Sequence, residues 1–583
     1  MKYVRSLLKE IEWDKIYLNL KIEIEKISLH QKSRFILINL DKIAVTEFDV
    51  IDRKENFYHI RLNITNSGIN RCVDNGTYTL LITDNENFYS ELEFHGEIKY
   101  LLQHNTCLRH ANDSRAYTVT FIIPEEADKP VLQFLFYNMR KTGMANMDPL
   151  FANINNINKN VNYKKYIINK IFNRIINRQI KHKIAKKVFS FWQYFLYNSN
   201  NKNILFISYM DNKLAINMQC LYNRLLERNF DKEYNISFSL RDIAKGEGNI
   251  FNSIKLLYFI ARANVIIVDD YINMLDWLIL NKSQKLIQLW HSGAGFKCIG
   301  YIRWGHKFAP GTFCCHRQYT YHVAGSQHIA NDFAEVAGIL PEQVIPTGMP
   351  RFDKFLNLKH QEKIVNTIFN MYPNFKNKKI ILFAPTYRGR NKQEAFYPYQ
   401  KIDFELLFEY CKADNAIVLF KMHPFVKTAV PIQEKHKEVF FDFTNYPDIN
   451  DLFYITNILI TDYSSSMYEY ALMKRPMLAY SFDIVQYSSY RGFPRPYDEN
   501  IPGKICKTFK ELIYSLKEKD YQFEKNKVYI KKNFDHVDTQ NSDRVIDWLI
   551  LDKLPEEYKK KLDEKVKKIN ELRGKSFAYL FDK

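Results

Sequence analysis

From residue 203 to residue 480, short apolar runs alternate with helical patterns, and this alternation restricts the fold more than any other feature of the chain. Strand-like runs separated by helices predict parallel sheets that are covered by helices. The first series of predicted strands is 203–209, 234–240, 264–270, 285–290 and 321–325, and the second, which begins near residue 344, is 379–385, 416–422, 439–443, 458–462 and 477–480. Two such series in tandem predict two Rossmann-like halves, with a ligand cleft at the carboxyl ends of the strands.

The chain has 583 residues, too many for one hydrophobic core, so several domains are expected. Before the two halves, short alternating runs with turns such as Asp74–Asn75–Gly76 predict an all-β, sandwich-like region. We therefore expect an α/β protein with an all-β accessory domain at 1–145, a basic amphipathic helical linker at 146–200, Rossmann-like halves at 201–345 and 346–550, and a charged C-terminal helix at 551–583.

The formal net charge is +19, which favours an anionic partner. Residues 149–210 contain no Asp or Glu, and lysines and arginines between 159 and 187 alternate with aliphatic and aromatic residues. Such a segment suits a helix lying on an anionic membrane surface, although a linker helix that packs on a neighbouring domain explains the pattern equally well. Scattered cysteines and the absence of a signal peptide or spanning segment predict a peripheral protein at the cytoplasmic face of the membrane.

The segment 286–300 ends an apolar run on His291 and continues into a loop of small residues. Glycines such as Gly293 and Gly295 let backbone N–H groups approach an anion closely, and Lys297 adds a cation. Together with Ser292, this pattern predicts a general base beside a phosphate site. A core strand followed by an ordinary turn is the alternative interpretation.

The strand ends of the second half show the same arrangement. Thr386 and Arg388 follow one predicted strand, and Lys421 and His423 end another. Because parallel strands bring their carboxyl ends to one edge, these side chains are expected to line the cleft. Each could alone be an ordinary solvated polar residue, so the prediction that they line the cleft rests on all of them together.

A third strand of the second half ends on Asp462 and is followed by a run of serines. Helix capping accounts for one or two hydroxyls, but three of them at a helix start also suit a bound phosphate. Glu469, one turn into the helix, is placed to accept hydrogen bonds from ribose hydroxyls. Arg491 lies in a further polar patch.

In this order, the motifs WHSGAGFK, FAPTYRG, KMHP, ITDYSSSMYEYA and YRGF with a later PG resemble the CDP-glycerol glycerophosphotransferase family, whose members are teichoic-acid and capsule polymerases. The resemblance covers about 203–547. It implies a GT-B fold, a CDP-polyol donor and growth of a poly(polyol phosphate) chain without a cofactor or a catalytic metal. The AGFK form of the first motif is similar to members that use other polyols, so glycerol and ribitol both stay open.

The resemblance also implies site residues. Its two motif histidines, His291 and His423, are the expected catalytic residues. The expected substrate-binding residues are Trp290, Ser292, Gly293, Gly295, Lys297, Arg351, Pro385, Thr386, Arg388, Lys421, Met422, Thr461, Asp462, Ser464, Ser465, Ser466, Glu469 and Arg491. The expected partners are the CDP-polyol, a lipid-linked or polymeric acceptor and the membrane surface, and a homo-oligomer is compatible with the sequence.

In the expected reaction, an acceptor hydroxyl attacks the β-phosphorus of the CDP-polyol and CMP leaves. His291 would act as the general base, while His423, Lys421 and Arg388 would stabilise the diphosphate charge. A GT-B glycosyltransferase that uses a nucleotide sugar is the alternative enzyme. An anionic-surface or nucleic-acid binding protein is the alternative of another class, although no nucleic-acid-binding motif supports it.

Overall fold

The computed structural model describes residues 2–25, 33–74, 76–84, 87–95, 98, 108–109, 117–122, 131–138, 183–209, 212–241, 250–291, 297–303, 310–311, 314–389 and 393–581. Most of the predicted linker, residues 146–182, therefore lies outside the described residues, as do Ser292, Gly293 and Gly295 of the first motif.

The described residues between 2 and 138 form hydrogen-bonded strands, mostly antiparallel, which we call the strand unit. Strand Tyr17–Ile24 shows the reason, since Leu18 and Leu20 alternate with polar residues and face Leu62 and Ile60 of a neighbouring strand across a buried core. The strands are Lys2–Tyr3, Ser6–Asp14, Tyr17–Ile24, Arg34–Asn39, Ala44–Glu47, Asp49–Lys54, Phe57–Asn63, Gly76–Thr83, Phe88–Phe94, Leu108–Arg109, Tyr117–Ile122 and Gln133–Asn138. Their arrangement as a separate sandwich domain stays a prediction.

The first predicted half contains a parallel sheet of six strands. Every residue of Asn203–Ser208 is buried, as expected for a strand covered on both faces. In spatial order the strands are Asn235–Leu240, Asn203–Ser208, Val265–Val268, Lys285–Gln288, Tyr321–Val323 and Val344–Ile345. Val344–Ile345 pairs with Tyr321–Val323 and ends the first sheet, within the bounds 201–345 given for the first half. The prediction that the second series begins near residue 344 is therefore wrong.

The second half contains another parallel six-stranded sheet. In spatial order its strands are Phe440–Asp442, Ala416–Phe420, Lys379–Phe383, Ile458–Thr461, Met477–Tyr480 and Lys504–Cys506. The tandem α/β architecture predicted from the sequence is thus confirmed. The last strand was not predicted, because three residues, Lys504–Cys506, are too few to show a period.

Helices cover both sheets. Side-chain caps fix several starts, for example Asp403 accepting from Leu406 N and Thr508 accepting from Glu511 N. The helices are 183–196, Ile216–Glu227, Ile250–Arg262, Ala330–Ala337, Arg351–Phe355, Leu358–Met371, Phe404–Ala413, Ile449–Ile455, Ser466–Ala471, Ile484–Tyr490, Phe509–Glu518, Glu524–Asn533, Asn541–Arg544, the π-helical Val545–Ile550 and Glu556–Leu572.

The C-terminal residues pack on the first sheet and contact the strand unit. Val545–Ile550 packs on the core of the first sheet, and Asp543 and Asp547 pair with Arg224 and Arg228. After the charged helix Glu556–Leu572, Phe577 N donates to Lys42 O in the strand unit at 2.9 Å. The C-terminal residues therefore connect the first sheet to the strand unit.

Candidate active site at the carboxyl ends of the two sheets

The chain reverses sharply at Trp290, directly after strand Lys285–Gln288. Trp290 has a φ of 56°, which is rare for a bulky residue and costs of order 1–3 kcal/mol. Two side-chain amides hold this conformation: Gln288 Oε1 accepts from Trp290 N at 2.9 Å, and Asn217 donates to Trp290 O at 2.8 Å. The reversal leaves Trp290 buried and presents His291 at the surface of the cleft.

Three contacts orient His291. Its ring stacks on Trp290 with centroids 4.7 Å apart, and its Nδ1 lies 3.5 Å from the backbone oxygen of Asp269. Arg351 Nη1 donates to His291 O at 2.7 Å. With the proton on Nδ1, the other ring nitrogen, Nε2, is left as a proton acceptor.

Arg351 also joins the two halves. It pairs through Nη2 with Glu469, and both side chains are buried. Burial raises the pKa of Glu469, although Arg351 opposes the shift. Two predicted substrate-binding residues therefore contact each other and connect the His291 backbone to helix Ser466–Ala471.

Lys297 belongs to the first half but lies among charged groups of the second. Desolvation lowers the pKa of Lys297 to about 8, with Asp462 opposing the shift and Arg491 and Arg388 contributing to it. The adjacent backbone also crosses the cleft, since Cys298 N donates to Gly492 O at 3.2 Å. The structure thus brings the predicted cation of the first motif to the strand ends of the second sheet.

His423 follows strand Ala416–Phe420 and is partly exposed. Its Nδ1 accepts from Phe425 N at 3.2 Å, which places the ring proton on Nε2. Burial, together with the nearby Lys297 and Lys421, lowers the pKa of His423 to about 4. With this lowered pKa, His423 presents a neutral Nε2–H donor near pH 7. Its predicted role in stabilising the diphosphate charge stays a prediction.

Lys421 and Met422 are buried beside His423. The ammonium of Lys421 donates to Thr444 O at 2.7 Å, and Met422 N donates to Thr444 Oγ1 at 3.4 Å. Burial lowers the pKa of Lys421, with Asp442 and Asp448 opposing the shift. These residues fix the strand end that carries His423.

Arg388 is the centre of a buried ion cluster. Its Nε and Nη2 bind both oxygens of Asp483 at 2.6 and 2.8 Å, and its Nη1 donates to Asp462 at 2.8 Å and to Thr386 O at 2.6 Å. Asp462 in turn accepts from Thr386 N at 2.7 Å. Arg388 thus binds protein groups and stabilises the strand ends, and its predicted contact with the substrate stays a prediction.

The remaining residues of these strand ends divide into buried and accessible ones. Pro385 and Thr461 are buried, and Thr461 donates to Ala384 O at 2.8 Å. Thr386 Oγ1 is buried and has no hydrogen-bond partner among the described residues. Ser464, Ser465 and Ser466 are partly exposed, and Ser464 Oγ lies 2.8 Å from Ser466 Oγ. The three serine hydroxyls are therefore accessible polar groups of this edge.

Tyr387 and Asp483 belong to the site but were not predicted. Tyr387 lies against His423, with ring centroids 4.7 Å apart, and its hydroxyl accepts from Arg491 Nη2 at 3.2 Å. Its place between Thr386 and Arg388 was the available signal. Asp483 follows no motif, so only its contact with Arg388 identifies it.

A small cavity opens beside the Arg351–Glu469 pair. Its polar lining includes Lys354, His360, Asp448, Asn450 and Asp451. Arg351 Nε and His360 Nε2 are buried there without a hydrogen-bond partner among the described residues. The lining comes from five separate helices, so no sequence pattern could have predicted the cavity. No group of His, Cys, Asp or Glu within the described ranges is arranged to hold a metal ion.

Comparison with known proteins gives consistent matches. A family model described as CDP-Glycerol:Poly(glycerophosphate) glycerophosphotransferase matches residues 188–551. The teichoic acid ribitol-phosphate polymerase TarL of Staphylococcus aureus (strain NCTC 8325 / PS 47) is 32% identical over 569 residues, 92% of this chain and 98% of that protein. TarK, a teichoic acid ribitol-phosphate polymerase of the same strain, is 37% identical over 352 residues, 60% of this chain and 69% of that protein.

Among solved structures, a variant of the wall teichoic acid polymerase TagF is similar with a TM-score of 0.51 and 21% identity. The match covers 68% of this chain and 98% of that chain. At this identity the likeness concerns the fold, and it agrees with the tandem α/β halves.

Proposed function

Because the chain belongs to the CDP-glycerol:poly(glycerophosphate) glycerophosphotransferase family, we propose that it transfers ribitol phosphate from CDP-ribitol to the hydroxyl end of a teichoic acid chain. One observation supports ribitol over glycerol: the ribitol-phosphate polymerase TarL matches this chain along 98% of its own length, including the strand unit. The bond from the β-phosphorus to the CMP oxygen breaks, the bond to the acceptor oxygen forms, and CMP leaves with the electron pair.

His291 would take the proton of the acceptor hydroxyl. Its exposed ring, its fixed backbone and the accepting Nε2 suit a general base. The proton moves from the hydroxyl to Nε2 as the oxygen attacks phosphorus. The strained turn at Trp290 supports this assignment, because backbone strain persists where the surrounding structure fixes a functional group.

His423 would act as a neutral donor, with Nε2–H directed at a diphosphate oxygen. Positive charge for the diphosphate would come from Lys297 and Arg491, which lie at the mouth of the same cleft. Arg388 and Lys421 would act indirectly, since both bind protein groups. Thr386 Oγ1 and the hydroxyls of Ser464–Ser466 would bind further phosphate oxygens.

The nucleoside would bind across the opening of the small cavity next to Glu469. Its lining offers carboxylates for ribose hydroxyls, and the buried Arg351 Nε has no hydrogen-bond partner among the described residues. Bound donor would then lie between helix Ser466–Ala471 and the first motif, with its phosphates toward His423.

The membrane surface would be contacted by helix 183–196. Phe189 buries one side of this helix against the first sheet, while Ile184, Phe191, Tyr194 and Phe195 are 58%, 60%, 81% and 64% exposed. Exposed lysines at 183, 186 and 187 lie on the same helix. An aromatic face with a basic flank suits the headgroup region of an anionic bilayer. No helix in the described part of the chain is both long enough and apolar enough to span a membrane.

A donor panel tests the proposed reaction. Purified full-length protein is incubated with a polyol-phosphate primer and either CDP-ribitol, CDP-glycerol or a UDP-sugar, and released nucleotide is measured. We expect CMP from CDP-ribitol at a rate at least about tenfold above that from CDP-glycerol. UDP release from the sugar donor, or CMP release from CDP-glycerol alone, would overturn the proposal.

Vesicle cosedimentation tests the membrane contact. Replacing Phe191, Tyr194 and Phe195 by Ser should abolish cosedimentation with phosphatidylglycerol-containing vesicles, because the apolar face is lost. The matched control is Tyr514→Ser, which changes a 60% exposed tyrosine on the distant helix Phe509–Glu518. Retained cosedimentation of the triple variant would exclude this helix as the membrane contact.

A further inference from the structure

The strand unit is fixed rigidly to the first half of the enzyme. Arg317 of the first half is buried and donates to Thr65 O at 2.5 Å and to Cys72 Sγ at 3.1 Å. In the reverse direction, Asn66 donates to Ile339 O at 2.8 Å. Tyr301 of the first half packs within the apolar core of the strand unit. These contacts therefore fix the strand unit relative to helix Ala330–Ala337.

Tyr17 of the strand unit reaches that helix. Its hydroxyl donates to Glu335 Oε1 at 2.6 Å, and the guanidinium of Arg61 lies 4.6 Å above its ring. The same Glu335 carboxylate accepts from Arg495 of the second half, at 2.8 Å on Oε1 and 3.2 Å on Oε2. Arg495 also pairs with Asp332 at 2.7 Å. One carboxylate thus joins the strand unit, the first half and the second half.

Arg495 is part of a loop that extends from the active site, residues 491–497, which we call the bridging loop. At the start of the loop, Arg491 donates to the Tyr387 hydroxyl and contributes to the lowered pKa of Lys297. Between them, Gly492 O accepts from Cys298 N at 3.2 Å, and Phe493 lies against Tyr463 with centroids 5.8 Å apart. Lys15 of the strand unit also donates to Pro494 O at 3.4 Å. The loop is thus held at Arg491 and again at Arg495, four residues later.

We propose that the strand unit has a positioning function in catalysis: through Tyr17, Glu335 and Arg495 it fixes the bridging loop and thereby holds Arg491 at the donor diphosphate. This assignment rests on the proposed transferase function. It makes Tyr17 and Arg495 positioning residues, since neither touches the cleft, and Arg491 the residue through which they act. Loss of the contact lets the loop move, and a misplacement of about 1 Å can cost up to about a hundredfold in rate.

The test is a set of single and double variants, assayed by CMP release at varied CDP-ribitol concentration. Arg495→Ala and Arg491→Ala should each raise the KM for the donor about tenfold. The double variant should be no worse than Arg491→Ala, because Arg495 acts through Arg491. Tyr17→Phe should raise the KM about fivefold, as expected for one lost hydrogen bond, and should have no effect in the Arg495→Ala background.

Controls separate positioning from folding. Glu335→Gln weakens the contacts of this side chain with Tyr17 and Arg495. Unlike Arg495→Ala, it does not leave a buried carboxylate without its arginine partner. Tyr3→Phe is the matched control, because Tyr3 donates to Glu93 at 2.8 Å within the strand unit itself. If the increases in KM caused by Arg491→Ala and Arg495→Ala multiply in the double variant, the two residues act independently and the proposal is overturned. A lower kcat with unchanged KM and a lowered melting temperature in Arg495→Ala would also overturn it. Failure of wild-type protein to release CMP would instead refute the proposed function.

Discussion

Lys297 gives the proposed donor site a characteristic dependence on pH. Its ammonium is desolvated between the two halves, so its pKa is lowered to about 8 from an ordinary value of 10.5. A lysine is charged below its pKa, and the attraction between this cation and the donor diphosphate is therefore lost as the pH rises through about 8. The kcat/KM for the donor reports this titration, because it reflects groups of the donor-free enzyme.

The expected size follows from the titration itself. With a pKa of about 8, the protonated fraction of Lys297 falls from about nine-tenths at pH 7 to about one-tenth at pH 9. If only the charged form binds donor productively, kcat/KM should fall about tenfold over this range. Arginine stays charged to far higher pH, so Lys297→Arg should remove the decline and give a flat profile between pH 7 and 9.

Initial rates of CMP release at donor concentrations well below KM give the profile directly. Lys517→Arg, an exposed lysine on helix Phe509–Glu518, serves as the control and should retain the wild-type decline. A flat wild-type profile would refute the reasoning. So would a decline that persists unchanged in an active Lys297→Arg variant, because another group would then be responsible.

Further predictions concern the histidines and the buried ion cluster. His291→Ala and His423→Ala should each lower kcat by about 10²-fold or more with normal melting curves, and near-wild-type turnover would remove that residue from the mechanism. His423→Gln should keep clearly more activity than His423→Ala, because an amide N–H can replace a neutral imidazole N–H; equal loss in both would argue for a charged imidazole. Arg388→Met should lower the free energy of unfolding by about 3–5 kcal/mol in urea titrations, since Asp462 and Asp483 are left buried without their partner; an unchanged midpoint would contradict the bracing role.

Much of the core fold was predictable from local pattern. Short, fully apolar runs such as Ala416–Phe420 favour buried strands in an α/β chain, and parallel pairing then brings their polar ends to one edge. Strand Met477–Tyr480 agrees with its predicted bounds. The predicted start of the second series near residue 344 was wrong, because the two residues Val344–Ile345 carry no periodic signal that identifies their sheet.

The orientation of charged side chains was not predictable. Arg388 and Arg351 both lie at predicted strand or motif ends, yet their partners Asp483 and Glu469 are 95 and 118 residues away in sequence. Whether an arginine faces a ligand or a buried carboxylate depends on these distant partners. The contact between Tyr17 and Glu335 could not be predicted for the same reason, since the two residues are 318 positions apart in the sequence.

The most direct test of the transferase mechanism uses CDP-ribitol labelled with ³²P at the β-phosphorus, incubated with full-length enzyme and an unlabelled primer. Attack of an acceptor hydroxyl on that phosphorus predicts that the label enters the polymer while unlabelled CMP accumulates in equal amount. Label recovered in CDP, with an unlabelled polyol on the acceptor, would mean that the carbon–oxygen bond breaks instead, and would contradict the account.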